Sequence, residues 1–237
     1  MQRVTKLLIL LTLTACSSNE KHKIASIPEA SGIDYCQDSN TLIVANDEGS
    51  FYELTTDGEI LTEHKLGDFD LEGVVCEKEN FIFAVEDGEL LIVPRSEYKI
   101  NRLKIKGKNF KFSKKSGIEG ITKVGEFYYL SIQEKKRKEN AKILVVKVGT
   151  NYAKIIKIIN DKIIDTAGMK YHEKKLYIVS DKKDKLYIYN LKKDKIKKKI
   201  KLPKFAQEGV TFDNKENIYF ADDDGAVMKY SKKELGL

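Results

Sequence analysis

The chain has 237 residues, of which 33% are charged and 41% hydrophobic, with no Trp, three Pro and a formal net charge of +7. That balance excludes a disordered tail and a collagen-like chain, and the length allows a core of ordinary size. No apolar run reaches the ~18 residues a membrane-spanning helix needs. The positive excess is not gathered into a basic patch interleaved with aromatics, which argues against nucleic acid as a partner.

Residues 1–16 read as a leader rather than as part of the fold. Arg3 and Lys6 supply a charged start, and residues 7–11, Leu-Leu-Ile-Leu-Leu, a short apolar stretch. This is the pattern of a secretory signal. Leu13-Thr14-Ala15-Cys16 then resembles the lipobox of bacterial lipoproteins. The resemblance implies cleavage before Cys16, lipidation of Cys16 and a tether over residues 17–21. The alternative is an ordinary signal peptide with an incidental Cys. An acyl group on Cys16 would attach an otherwise soluble domain, residues 22–237, to a membrane. Ser17 after the Cys points, by the sorting rule of such lipoproteins, to the outer rather than the inner membrane, with the domain facing the periplasm.

From there a short motif recurs: a small or acidic residue, Gly, then an apolar residue. The copies are Ser31-Gly32-Ile33, Glu72-Gly73-Val74, Glu119-Gly120-Ile121, Ala167-Gly168-Met169 and Glu208-Gly209-Val210, with glycines 41, 47, 48 and 41 residues apart. A period in the forties filled with strand-like runs is the signature of propeller blades. The runs after the second motif fall at residues 81–85, 90–93 and 100–105. Those after the fourth fall at 176–179, 186–189 and 196–202. Each is rich in β-branched and aromatic residues and bounded by turn formers. Asp47-Glu48-Gly49, Glu86-Asp87-Gly88 and Asp223-Asp224-Gly225 repeat one turn chemistry at one place in the period. Helix signals are poor, and residues 133–141 read as a long charged hairpin loop.

The fifth repeat has only three strands, near residues 209–212, 218–221 and 226–230, while a spare strand precedes the first motif at residues 22–28. The spare strand is therefore predicted to close the last blade and tie the termini together. The expected fold is all-β: a five-bladed β-propeller of four-stranded blades.

In such a fold the turn entering the innermost strand and the turn after the second strand share one face. Glu72, Glu119 and Glu208 come from the first turn, and Asp47, Glu86, Glu134, Asp181 and Asp223 from the second. These carboxylates are expected around one mouth of the central channel. Like charges there repel and desolvation is costly. A hard cation such as Ca²⁺, nearby Lys or a basic ligand would compensate. The plainer alternative is a set of solvated turn residues.

The ordered set of motifs, with the segments around Ser31-Gly32, Asp70-Leu71-Glu72-Gly73, Gly117-Ile118-Glu119-Gly120 and Gln207-Glu208-Gly209, resembles the SdiA-regulated family of bacterial propellers. The resemblance covers roughly residues 22–235. One departure is Ala167-Gly168, where the family tends to have Ser before the Gly. The family is similar to NHL-like and esterase-like-phytase propellers. It implies a membrane-associated protein with a calcium site and implies no particular reaction.

Catalytic signals are sparse. His22, His64 and His172 stand beside no motif, and there is no Gly-X-Ser-X-Gly turn, phosphate loop or zinc-spaced Cys pair. A divalent ion on the carboxylates would still activate water, so a metal-dependent hydrolase of esters, lactones or phosphates stands as the alternative to a module that binds a small-molecule or protein ligand. With Cys16 lipidated, Cys36 and Cys76 remain, four and three residues past their glycines. That offset puts them on opposite faces of neighbouring blades. They are read either as a disulfide or as two small buried hydrophobes. The Lys-rich run 192–201 and the 104–115 and 134–142 loops read as solvated. The run 192–201 has contact with anionic lipid head groups as its alternative.

Overall fold

The structure, a computed structural model, describes residues 20–113 and 115–237. The leader, Cys16 and residues 17–19 lie outside the described residues. Among the described residues, a 3₁₀ turn at Glu20–His22 leads into twenty strands. They are β1 (Lys23–Ala25), β2 (Ala30–Cys36), β3 (Thr41–Asn46), β4 (Ser50–Thr55), β5 (Ile60–Lys65), β6 (Leu71–Cys76), β7 (Asn80–Val85), β8 (Glu89–Pro94), β9 (Asn101–Lys106) and β10 (Ile118–Val124). The chain continues through β11 (Phe127–Ile132), β12 (Lys142–Val148), β13 (Ala153–Ile159), β14 (Thr166–His172), β15 (Lys175–Ser180), β16 (Lys185–Asn190), β17 (Lys195–Lys201), β18 (Gln207–Phe212), β19 (Asn217–Asp222) and β20 (Ala226–Ser231). The charged segment 133–141 is a loop carrying one 3₁₀ turn, Lys138–Asn140.

The strands pair as antiparallel meanders. Three sheets have four strands, in the orders β2-β3-β4-β5, β14-β15-β16-β17 and β1-β20-β19-β18. The N-terminal β1 thus lies antiparallel beside β20, at the outside of the C-terminal sheet. The fourth sheet has eight strands because the outermost strands of two meanders touch. β9 and β13 join in parallel through Ile105 with Ala153 and Lys106 with Lys154.

The five motif-bearing strands, β2, β6, β10, β14 and β18, stand side by side in a closed ring. The recurring glycine follows from how tightly that ring closes. A Cβ on Gly32 would lie 2.5 Å from Cα of Gly73, and one on Gly168 only 2.3 Å from the Glu208 carbonyl oxygen and 2.6 Å from Cα of Gly209. No larger residue fits there without moving a backbone. The ladder also breaks at every motif, with a register shift at Gly32, Gly73, Gly120, Gly168 and Gly209. Such a bulge leaves the residue before the glycine unpaired and re-aims its side chain.

The core lies between the sheets. Phe51 and Ile43 of one sheet pack on Phe81, Phe83 and Leu91 of the next, and Phe220 and Met228 meet Val179 and Leu186 in the same way. The outer strands β5, β13 and β17 are largely exposed. Cys36 and Cys76, at the ends of β2 and β6, are disulfide-bonded with Cα atoms 5.3 Å apart.

Candidate functional site

The bulges direct Glu72, Glu119 and Glu208 toward one end of the ring, in register with Ser31 and Ala167. The turns after the second strand of each meander are fastened to the same end by backbone bonds. Asp47 N–H donates to the Glu29 carbonyl (3.3 Å), Glu86 N–H to Asp70 (3.0 Å) and Asp223 N–H to Ala206 (3.0 Å). Asp165 N–H likewise donates to the Glu134 carbonyl at 2.8 Å.

The result is a continuous circuit of mutually repelling carboxyl groups. Asp47 feels Glu29, Asp223 and Asp70. Glu86 feels Asp70, and Glu119 feels Glu86 and Asp165. Asp181 feels Asp165, and Glu208 feels Glu119, Asp223, Asp181 and Asp165. Burial is the main cause that raises their proton affinity, and the neighbouring charges add to it. Glu119 is pushed up to about 7, against the opposing charge of Lys135 and a hydrogen bond from Gln133 Nε2. Asp47 also rises to about 7, by burial and then by Glu29. Glu72 and Glu208 are held well above the usual carboxylate range. Glu86, Asp181 and Asp223 are raised as well. Lys135 is the cation whose charge reaches both Glu119 and Glu86.

Seven of the eight acids singled out by the repeat pattern therefore belong to one mouth. Glu134 does not join them electrostatically. Its carboxylate accepts from the N–H groups of Lys136 and Arg137, both at 2.9 Å, and these hold its proton affinity down. Three members escaped the pattern: Glu29, Asp70 and Asp165. Each lies three residues before a motif glycine, and that spacing was the signal available.

The mouth contains two hollows. One, of about 100 Å³, lies between Glu119, Asp165, Asp181 and Glu208, with Lys135 and Thr166 in its wall. Thr166 is 1% exposed and its hydroxyl oxygen has no hydrogen-bond partner. The other, of about 340 Å³, lies between Glu29, Asp47 and Asp70 beside Phe69. Carboxylates and an unpartnered hydroxyl are the donor types a hard cation such as Ca²⁺ takes, and here Lys135 and Gln133 share the wall with them. The mouth carboxylates are spread, however. Among the described residues, the three ligand groups that converge within 4.8 Å are His172, Glu173 and Glu216, at the opposite end of β14. Lys232 already neutralises that group, bonded to Glu216 and 3.6 Å from Glu173.

The histidines pack against rings. His22 stacks on Tyr230 with centroids 4.0 Å apart, His172 on Phe212 at 4.4 Å, and His64 tilts on Tyr98 at 4.7 Å. Beyond the glycines, away from the mouth, Asp34 is 3% exposed and fully engaged. It accepts from Tyr35 N–H, Cys76 N–H and Thr211 Oγ1, and is ion-paired with Lys170. Lys170 lies on β14 and Asp34 on β2, which are not neighbours in the ring, so this pair crosses the axis.

A sequence model of the SdiA-regulated family matches residues 16–224. The chain belongs to the SdiA-regulated family. No curated protein matches this family member in sequence. Among solved structures, the glutaminyl cyclase of Myxococcus xanthus is similar with a TM-score of 0.62 and 10% identity, over 88% of this chain and 92% of that one. A streptogramin B lyase structure matches with a TM-score of 0.46 and 14% identity, over 87% of this chain and 70% of that one. The likeness to the cyclase is one of fold: the SdiA-regulated chain is a β-propeller protein.

Proposed function

We propose that this SdiA-regulated protein is a lipid-anchored envelope protein that binds Ca²⁺ at its acidic mouth and, through it, a small-molecule or protein ligand. The observation that carries the reading is the set of desolvated carboxylates on the bulges, Glu72, Glu119 and Glu208, with raised proton affinities. A divalent cation would remove both the repulsion and the desolvation penalty. The fold in this proposal is a five-bladed propeller of four-stranded blades, in which β1 completes the last blade and the β9–β13 contact is a seam between two blades. In that arrangement β1 runs toward the mouth, because it is antiparallel to β20 and β20 starts there. A lipid on Cys16 would then tether the face opposite the mouth and leave the mouth facing the periplasm from the outer membrane.

The test is calorimetric titration of the full chain carrying Cys16→Ser with Ca²⁺, beside the same chain with Glu72→Gln, Glu119→Gln and Glu208→Gln. Binding in the range of roughly 10⁻⁶–10⁻³ M that is lost in the triple variant supports the reading. No heat and no rise in Tm at millimolar Ca²⁺ overturns the cation.

A metal-dependent hydrolase is the second reading. Glu119, at about 7, is suited to accept a proton from a bound water near neutrality. Turnover of a simple ester, lactone or phosphate ester, lost in Glu119→Gln, would favour it.

A further inference from the structure

The opposite chemistry occurs on the outer rim, where β9 meets β13. The two strands pair only at Ile105–Ala153 and Lys106–Lys154. Past Lys154 the outer edge of β13 faces a groove of about 880 Å³ rather than another strand. A ladder shift on the β12 side leaves Ile156 out of register. It is 47% exposed, and Tyr152 at the foot of the groove is 43% exposed. With Ile155 and Ile158 they give the groove an apolar interior. A soluble domain leaves such a surface in water at a cost, and a groove of this size falls within the range of about 300–1,000 Å³ usual for small-ligand sites.

Both lips of the groove are basic. Lys106 and Lys108 stand on the β9 side and Lys154 and Lys157 on the β13 side, and no acidic residue lines it. None of the four lysines takes part in a salt bridge among the described residues. The Lys106 ammonium instead sits 5.2 Å from the centre of the Tyr152 ring. Some surface lysines elsewhere find carboxylates, as Lys147 does with Glu126 at 2.7 Å and Lys123 with Glu77 at 2.6 Å; what sets the groove apart is that its lysines face each other across an apolar strip.

The geometry points to this groove as a binding site for a single anionic amphiphile, an alkyl or acyl chain ending in a carboxylate or phosphate. The chain lies along Ile155, Ile156 and Ile158, and the head group sits between lysines of the two lips. The volume of the groove is that of a site for one small ligand, so it is read as taking one molecule, with membrane contact as the outcome that overturns this.

The probe is dansyl-undecanoic acid below its micellar concentration, added to the full chain with Cys16→Ser, which carries no acyl group to compete. Saturable enhancement and blue shift of the dansyl emission are expected. Dodecyl phosphate should displace the probe and dodecanol should not. Lys154→Glu with Lys157→Glu should weaken binding by about tenfold or more, the weight of a charge-assisted contact. If that variant does not fold by circular dichroism, Lys154→Gln with Lys157→Gln decides, with a weakening of about threefold or more expected. The same Kd in the substituted protein, or equal displacement by dodecanol, overturns the site. So does sedimentation with phosphatidylglycerol vesicles in the absence of any probe binding, which would make the rim a membrane-contact surface instead.

Discussion

Replacing Glu119 by Gln removes a charge and keeps the shape, including an oxygen that still accepts from Gln133 Nε2. In the folded protein Glu119 titrates at about 7, against an ordinary 4.5, because burial disfavours its charged form. A folded-state value raised above the unfolded one means that the native state binds the proton more tightly. The stability this adds is fully present below about pH 4.5, falls between 4.5 and 7, and is gone above 7. The rise corresponds to roughly 3 kcal/mol for this one side chain. In EDTA the wild type should therefore lose stability to urea as pH rises from 4.5 to 8, and Glu119→Gln should lose about 3 kcal/mol less over the same range. Ca²⁺ at pH 8 should close that gap by stabilising the wild type and not the variant. The assay is equilibrium urea unfolding followed by tyrosine fluorescence at several pH values. A wild-type curve flat from pH 5 to 8, or a variant less stable than wild type at pH 8, would refute the argument that this carboxylate is desolvated and uncompensated.

Other expectations follow from single contacts. Reducing the Cys36–Cys76 bond, which spans 40 residues, should cost about 4 kcal/mol on the chain-entropy account, read as a drop in the urea midpoint with dithiothreitol. Gly168→Ala places a Cβ 2.3 Å from the Glu208 carbonyl oxygen and should cost at least about 2 kcal/mol, since neither backbone can move without opening the ring. An unchanged Tm in that variant would contradict the close approach. Lys170→Met leaves Asp34 buried without its cation and should cost about 3 kcal/mol, read as a drop in the urea midpoint at pH 7.

The sequence spoke clearly wherever a constraint recurs. The tight ring leaves no room for a Cβ at Gly32, Gly120, Gly168 and Gly209 and little at Gly73, so the repeat was visible without any strand prediction. The alternating runs then filled in the meanders, and the shortfall of one strand at the C-terminus located β1. What recurs for electrostatic reasons was less legible. Glu29, Asp70 and Asp165 join the mouth from a position occupied by an acid in only some repeats, so they formed no pattern. Glu134 fits the pattern by position, yet the long 133–141 loop offers its carboxylate two backbone N–H groups, which hold its proton affinity down where the mouth acids have theirs raised. The Asp34–Lys170 pair joins residues 136 positions apart, and the β9–β13 seam depends on how far two outer strands splay. Neither leaves a trace in local composition.

The glycine ring and the Asp34–Lys170 pair together give the mouth its character. Immediately inside the bulged glutamates the five backbones close to near contact, leaving a small void lined by Gly73, Gly120, Gly168 and Gly209. Below that, Asp34 gathers donors from β2, β6, β14 and β18, and Thr122 of β10 accepts from Tyr171 N–H of β14. All five inner strands are thus tied by buried polar bonds under the ring. The Asp34–Lys170 pair spans the axis at this level. Glu208 borders the hollow shared with Glu119, Asp165 and Asp181, and the charges of Asp223, Asp181 and Asp165 reach it there. In the proposed reading a cation would be drawn to this face by the rim carboxylates and desolvated against the bulged glutamates. An anion would meet repulsion from all of these groups but Lys135, and the groove proposed for an anionic head group lies on the outside, at the β9–β13 rim.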